Sequence, residues 1–269
     1  MENSRLKELI KESIVKLLNN TISDTKIDDI KEKHNAKVHF IPVRYRIFSG
    51  LLQSLNIQFG NFIEVLISHI FEKEEKLEII SDLSGKKNIA LSLNKEVDSL
   101  IDSFITSRQT PNNDDLSKKF EQLLKDILKG QNISSDNFII AKHDIDLLFK
   151  DKEKEMFYYV EIKYNDDHDT GKFVDINRKF IKTYAALVKK LDIKDVNQLK
   201  PILYYFNKKI MKGNIYVPEN TNIYRGEKLF NEFSTLKYSE LDDYLKNVSE
   251  DKEIVEIFDN LYKKIRYGT

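Results

Sequence analysis

Two short apolar runs separated by a tip made wholly of charge constrain this chain more than any other feature. The first runs from Phe138 to Phe149 (Phe-Ile-Ile-Ala-Lys-His-Asp-Ile-Asp-Leu-Leu-Phe), the second from Met156 to Tyr164 (Met-Phe-Tyr-Tyr-Val-Glu-Ile-Lys-Tyr), and every residue from Lys150 to Glu155 between them is charged. Both runs are aliphatic and aromatic and too short for helices, so they read as neighbouring strands of a buried sheet joined by a hairpin tip in water. Side chains alternate along a strand. Asp144 and Asp146 therefore share one face of the first strand, and Glu161 and Lys163 share one face of the second. The pattern predicts a meeting of two carboxylates and an ammonium.

Ionised groups on strands this apolar lose hydration and must be paired or bind metal. A hard divalent cation suits them. Mg2+ prefers oxygen ligands, keeps several waters, and is typically held by one or two carboxylates together with a phosphate oxygen of the substrate. Asp146 and Glu161 are the candidate ligands. Lys163, two residues beyond Glu161 on the same face, is placed to position a water and to stabilise charge developing on an attacked phosphate. This is chemistry for cutting a phosphodiester.

Acid-x-Lys alone carries little information in a chain that is 33% charged: Asp24-x-Lys26, Asp29-x-Lys31, Glu74-x-Lys76 and Asp192-x-Lys194 satisfy it too. Glu161-x-Lys163 differs in ending the apolar run Phe157 to Val160 and in following a strand with its own acid. The competing reading is an edge hairpin with one solvated face and an ordinary surface ion pair. A solvated face should alternate polar residues along its length, and Phe157 and Tyr159, on the Glu161 face, do not.

The 269 residues, 41% of them apolar, are enough for one elaborated domain or two small ones, and a single catalytic domain over 1–269 is the simpler expectation. It divides into a mainly helical portion (1–130), an α/β core (135–235) and C-terminal helices (236–269). With no cysteine, thiolate sites and disulfides are ruled out and hard-oxygen ligation is the metal chemistry left. No zinc-type spacing links the histidines. The amphipathic start (Leu6, Leu9, Ile10, Ile14, Leu17, Leu18) is unlike a signal peptide, and no apolar stretch approaches a membrane span, so a cytoplasmic location is expected. Net charge is zero, yet residues 171–212 hold eleven Lys/Arg against three Asp, while residues 135–170 hold ten acids against five bases. Attraction to phosphate needs local rather than total positive charge.

Periodicity predicts helices over 1–20, 43–76, part of 92–130 (Phe120, Leu123, Leu124, Leu128), 172–191 and 239–266. Residues 201–206 read as a third buried strand, and 214–218 or 221–225 as a shorter one. Segments 80–91 and 107–116, the latter with Pro111-Asn112-Asn113, read as loops. The order implies an α/β fold with a mixed central sheet flanked by helices and helical additions at both ends.

The succession of helix-borne Glu, strand Asp, strand Glu-x-Lys, basic helix and further strand resembles the PD-(D/E)xK nuclease superfamily, and within it the type II restriction endonucleases. Ile145-Asp146 stands where that motif has Pro-Asp. Asp146, followed by Leu147-Leu148-Phe149, matches the family's metal ligand, with Asp144 as the alternative. Three segments resemble the group that cuts short palindromes with a central unspecified base: Ser49 to Glu64, Asn165 to Lys172, and Tyr224 to Phe230. The resemblance covers about residues 45 to 235, with Asp146, Glu161 and Lys163 as its firm motif.

The resemblance implies a restriction-endonuclease-like core and Mg2+-dependent, sequence-specific hydrolysis of double-stranded DNA. It makes Glu64 the helix glutamate that reaches the metal site, consistent with Phe62, Ile63, Leu66, Ile67 and Ile70 leaving Glu64 as the one acid of an apolar helix; the alternative is an outward Glu64, or one paired with Arg44 or Arg46. Lys172, Arg178, Lys179 and Lys182 are expected to contact phosphates, and Asn177 or Arg178 to read base edges. A palindromic target implies a homodimer, and a companion DNA methyltransferase is expected genetically. Competing readings are a structure-specific or repair nuclease with the same core and a non-catalytic DNA-binding protein.

Overall fold

The computed structural model describes residues 3–110, 114–133, 137–211 and 213–267. Residues 111–113 of the expected loop lie outside these. Contacts divide the chain into two compact units, one made of residues up to Ile63 with those from Lys237 onward, the other of Glu64–Leu236.

The first unit is helical. It holds α1 (Asn3–Thr21), α2 (Asp24–Asn35), most of α3 (Val43–Phe71), α8 (Tyr238–Ser249) and α9 (Lys252–Tyr267). Two apolar clusters bind it, one of Ile27, Ile30, Ile47, Leu51 and Leu261, the other of Leu18, Leu55, Val248 and Ile254. Gly50 is required where α2 and α3 approach, since a Cβ there would lie 3.2 Å from both His34 and Ile30.

The second unit is α/β. Its five-stranded mixed sheet has the order β1 (Leu77–Ile79), β4 (Leu147–Asp151), β5 (Met156–Lys163), β6 (Leu199–Tyr205), β7 (Ile223–Arg225). The first three strands pair antiparallel and the last three parallel. Helix α6 (Thr170–Lys190) makes the β5-to-β6 crossover that a parallel pair needs. Asp169 caps its start, accepting from Lys172 N at 2.9 Å. Helices α4 (Lys95–Arg108), α5 (Leu116–Asn132) and α7 (Glu227–Phe233) complete the unit, with Val97, Ile101, Ile105, Phe120 and Ile127 joining α6 and the sheet in one core.

The mixed sheet and the helical ends are as expected, but the run 138–149 is not one strand. It splits at Asp146 into β3 (Phe138–Ile145), which pairs with β2 (Gly85–Asn94) in a separate two-stranded sheet, and β4. Past the Leu147–Val160 pair the β4 ladder ends, and the Ile162 N–H donates instead to the Asp146 carboxylate at 2.7 Å. A side chain thus closes the sheet where the backbone turns away. Segment 80–91 is likewise not a loop throughout. Its second half belongs to β2, whose polar start (Gly85-Lys86-Lys87-Asn88), with Asn88 at φ 49° and a register shift before Ile89, conceals the strand.

Candidate active site

Asp146, Glu161 and Lys163 converge where β4 begins and β5 ends. Lys163 Nζ lies 3.3 Å from Asp146 Oδ2 and 2.9 Å from Glu161 Oε1. The Glu161 side chain is 1% exposed and that of Asp146 7%. Alternation on β5 places Tyr159 on the same face, where its hydroxyl donates to Glu161 Oε2 at 2.9 Å and its ring stacks on Phe180 of α6. Lys179, also on α6, reaches Glu161 Oε1 at 3.2 Å. Asp144 is elsewhere: its carboxylate accepts from Asn88 N at 2.7 Å, on the two-stranded sheet.

The charges are unequal. Burial, and then the neighbouring Glu161, pushes the Asp146 carboxyl up to about 7, against the pull of Lys163. Burial also works against ionisation of Glu161, but Lys163 and Lys179 on one oxygen, helped by the Tyr159 hydroxyl on the other, hold it below the usual carboxylate range. The Lys163 ammonium is held on above its ordinary value: burial opposes its charge, and the two carboxylates outweigh burial. Glu161 therefore carries the negative charge while Asp146 keeps its proton until near neutrality.

Glu64, half-buried on α3, is raised by burial first, and its strongest charged neighbours are Lys163, Lys86, Glu161 and Lys179 rather than Arg44 or Arg46. It belongs to the same electrostatic cluster.

The α6 residues separate. Lys172 is exposed. Arg178 pairs with Asp102 at 3.1 Å and Asp175 at 3.0 Å, and Lys182 with Asp98 at 2.6 Å and Asp102 at 3.0 Å. Asn177, expected to read a base edge, is 0% exposed, and its amide donates to the Phe173 carbonyl at 2.9 Å within the helix. Tyr159 and Lys179 were missed as supports of the acid pair. Period-two alternation already puts Tyr159 on the Glu161 face and leaves only the role of its hydroxyl unread, whereas the Lys179 contact depends on how α6 packs.

No group of three or more His, Asp or Glu side chains able to enclose a cation by themselves occurs among the described residues. Asp146 and Glu161 nonetheless suit a hard cation of the Mg2+ kind, which takes one or two carboxylates and fills its shell with water and phosphate. Their mutual repulsion, seen in the raised Asp146, is what a bound cation relieves.

A family model described as "Type II restriction endonuclease, HinfI" matches residues 2–249. A curated relative, the type II restriction enzyme HinfI of Haemophilus influenzae, is 46% identical over 263 residues, which cover 98% of this chain and 98% of that protein. No solved structure matches.

Proposed function

The chain belongs to the HinfI family of type II restriction endonucleases, and from that premise we propose that Asp146, Glu161 and Lys163 form the centre with which it hydrolyses double-stranded DNA. It is a site-specific deoxyribonuclease. The observation that supports this centre is the convergence of both carboxylates on Lys163 Nζ, at 3.3 and 2.9 Å, at the end of the otherwise apolar central strand β5. In this reading the pattern is that of the PD-(D/E)xK nucleases with Ile145 in place of the proline.

Asp146 and Glu161, with Glu64 beside them, would hold Mg2+. When bound, Mg2+ supplies Lewis-acid polarisation of the scissile phosphate and neutralises charge that builds on its oxygens. The residues do the rest. The Ile162 N–H fixes Asp146 and the Tyr159 hydroxyl fixes Glu161, so neither carboxylate must be ordered when substrate arrives. Lys163 orients the attacking water by hydrogen bond and stabilises negative charge as the water oxygen bonds to phosphorus and the opposite P–O ester bond breaks. The proton that the attacking water loses passes to bulk water, and the departing alkoxide takes one up from it. Lys172 is an exposed α6 cation available to a phosphate, and Lys179 stands ready at Glu161.

A palindromic target would be met by a homodimer, with each protomer cutting one strand. A companion methyltransferase would protect host DNA, and the enzyme would act in the cytoplasm; among the described residues no helix is long and apolar enough to cross a membrane. The test is a digest of mixed-sequence plasmid with Mg2+. Discrete fragments from the parent, and none from Lys163→Ala, are expected. Undiminished cutting by Lys163→Ala overturns the assignment.

A further inference from the structure

Residues 33–63 contain no Asp or Glu, although 44 of the 269 residues are acidic, and they carry Lys33, Lys37, Arg44 and Arg46. Within this stretch the segment linking α2 to α3 is exposed from Asn35 through Pro42. Val38 is 105% and Phe40 93% exposed, which is unusual for large apolar side chains.

The segment is nonetheless built. Arg46, itself buried, donates through one terminal guanidinium nitrogen to the His34 carbonyl at 2.8 Å and the Lys37 carbonyl at 3.1 Å, tying down the base of the loop. His39 Nδ1 accepts from Ile41 N at 2.9 Å, and its ring stacks on Phe40 with centroids 4.9 Å apart. Arg44 lies over the Tyr45 ring at 5.1 Å, both exposed. The result is an apolar tip with a rim of cations and no acid.

We propose that this loop, Lys37 to Tyr45, is a contact surface for duplex DNA, in which Lys37 and Arg44 meet backbone phosphates and Phe40 packs against or between base edges. Phosphate contacts supply sequence-independent affinity, and an apolar wedge between cationic side chains is a recurrent way of gripping a groove. Charge argues against a second copy of the chain as the occupant. In a two-fold contact the same patch meets itself, which would set Lys37 and Arg44 against their own counterparts with no acid in the stretch to separate them. The inference rests on the DNA-cleaving function above, and adds a surface to it.

The experiment measures binding of the parent, Phe40→Ser, Phe40→Tyr, the double variant Lys37→Ala/Arg44→Ala and Lys163→Ala to a plasmid fragment, with Ca2+ in place of Mg2+ and salt varied. Each phosphate contact contributes about 0.9 to the slope of log affinity against log salt, so the double variant should lower the slope by about 2. Phe40→Ser should bind about tenfold more weakly with the slope unchanged, and Phe40→Tyr should recover most of the loss. All three positions are exposed, so melting curves should match the parent. Unchanged affinity and slope overturn the proposal. So does sedimentation in which the parent is a dimer and Phe40→Ser a monomer, or loss of binding to phosphatidylglycerol vesicles with DNA affinity intact. Parent that binds through the loop but cuts nothing would sink the nuclease centre and leave the loop standing; parent that cuts, with variants that bind normally, would do the reverse.

Discussion

Tyr159 donates its hydroxyl to Glu161 Oε2 at 2.9 Å while Lys163 and Lys179 occupy Oε1 from the other side, at 2.9 and 3.2 Å. A carboxylate this buried stays ionised only because both oxygens are engaged. The phenol is itself held well above its ordinary value, by burial first and then by Glu161, so it remains a donor throughout the working range. Tyr159 is thus a positioning residue behind the proposed ligand.

Replacing Tyr159 by Phe removes one hydrogen bond to a charged group and leaves the ring stacked on Phe180. Such a bond contributes about 1.5–3 kcal/mol, which corresponds to roughly 10- to 100-fold in rate. Single-turnover cleavage by Tyr159→Phe should fall by about that factor with DNA affinity in Ca2+ unchanged. An equal loss in affinity and rate would mean the hydroxyl is only part of the fold.

Lys163→Ala should reduce cleavage by about 10²–10³-fold, the loss typical of removing one preorganised stabiliser of transition-state charge. It should also move the Asp146 carboxyl further up, since Lys163 is the charge that pulls it down, beside the Ile162 N–H. Carboxyl titration followed by isotope-labelled NMR in metal-free buffer checks the second outcome, and a lowered Asp146 would contradict the geometry.

The pH dependence has a definite sign. Asp146 titrates at about 7 in the folded chain against an ordinary 3.8, so between those values the folded state binds more protons than the unfolded one and stability declines as pH rises, levelling off above about 7. Glu64, also raised, adds to the decline. Glu161, lowered, acts oppositely, with stability present above its ordinary 4.5 and lost as pH falls below that. Burial holds His34, His143 and His168 below their ordinary 6.5 and they oppose this trend, so the Asp146 contribution is read by difference: in chelator, the urea midpoint of Asp146→Asn should fall less than the parent's between about pH 5.5 and pH 8. Ca2+ should stabilise more at the higher pH, where no proton competes for Asp146. An Asp146→Asn profile that parallels the parent's across this range would refute the assignment.

Much of this was legible in the chain because strand alternation is a short-range rule. Glu161, Lys163 and Tyr159 follow from period two on β5, and the basic helix from its apolar stripe. The division at Asp146 was hidden because Ile145 and Leu147 are equally apolar, so the run gave no sign that its two halves serve different sheets. Strand β2 was hidden by its polar, irregular start. The positions of α6 residues were least legible of all. Asn177, Arg178 and Lys179 are consecutive, yet one is enclosed in the core, one pairs with α4 and one reaches Glu161, because each points 100° from the last around the helix.

Asn177 tests that last point. Asn177→Ala removes its bond to Phe173 and its approach to Asn214 and leaves a small cavity, which should lower stability by about 1–3 kcal/mol. Fragment patterns from phage DNA should be those of the parent. Altered cut sites would return Asn177 to the recognition surface.

Glu64→Gln separates electrostatics from ligation. The Glu64 charge is one of those raising Asp146, so its removal should lower the Asp146 titration. With Mg2+ below saturation, proton and cation compete for Asp146, and cleavage by the parent should climb with pH and level off above about 7. In Glu64→Gln that climb should begin at lower pH, since the substituted amide no longer repels the Asp146 charge. If Glu64 also helps hold the cation, the plateau at saturating Mg2+ should fall as well, and Mn2+, a more readily bound ion of the same charge, should restore part of it. A profile with the parent's midpoint and the parent's plateau would show that Glu64 is neither a neighbour of the acid pair in solution nor a ligand.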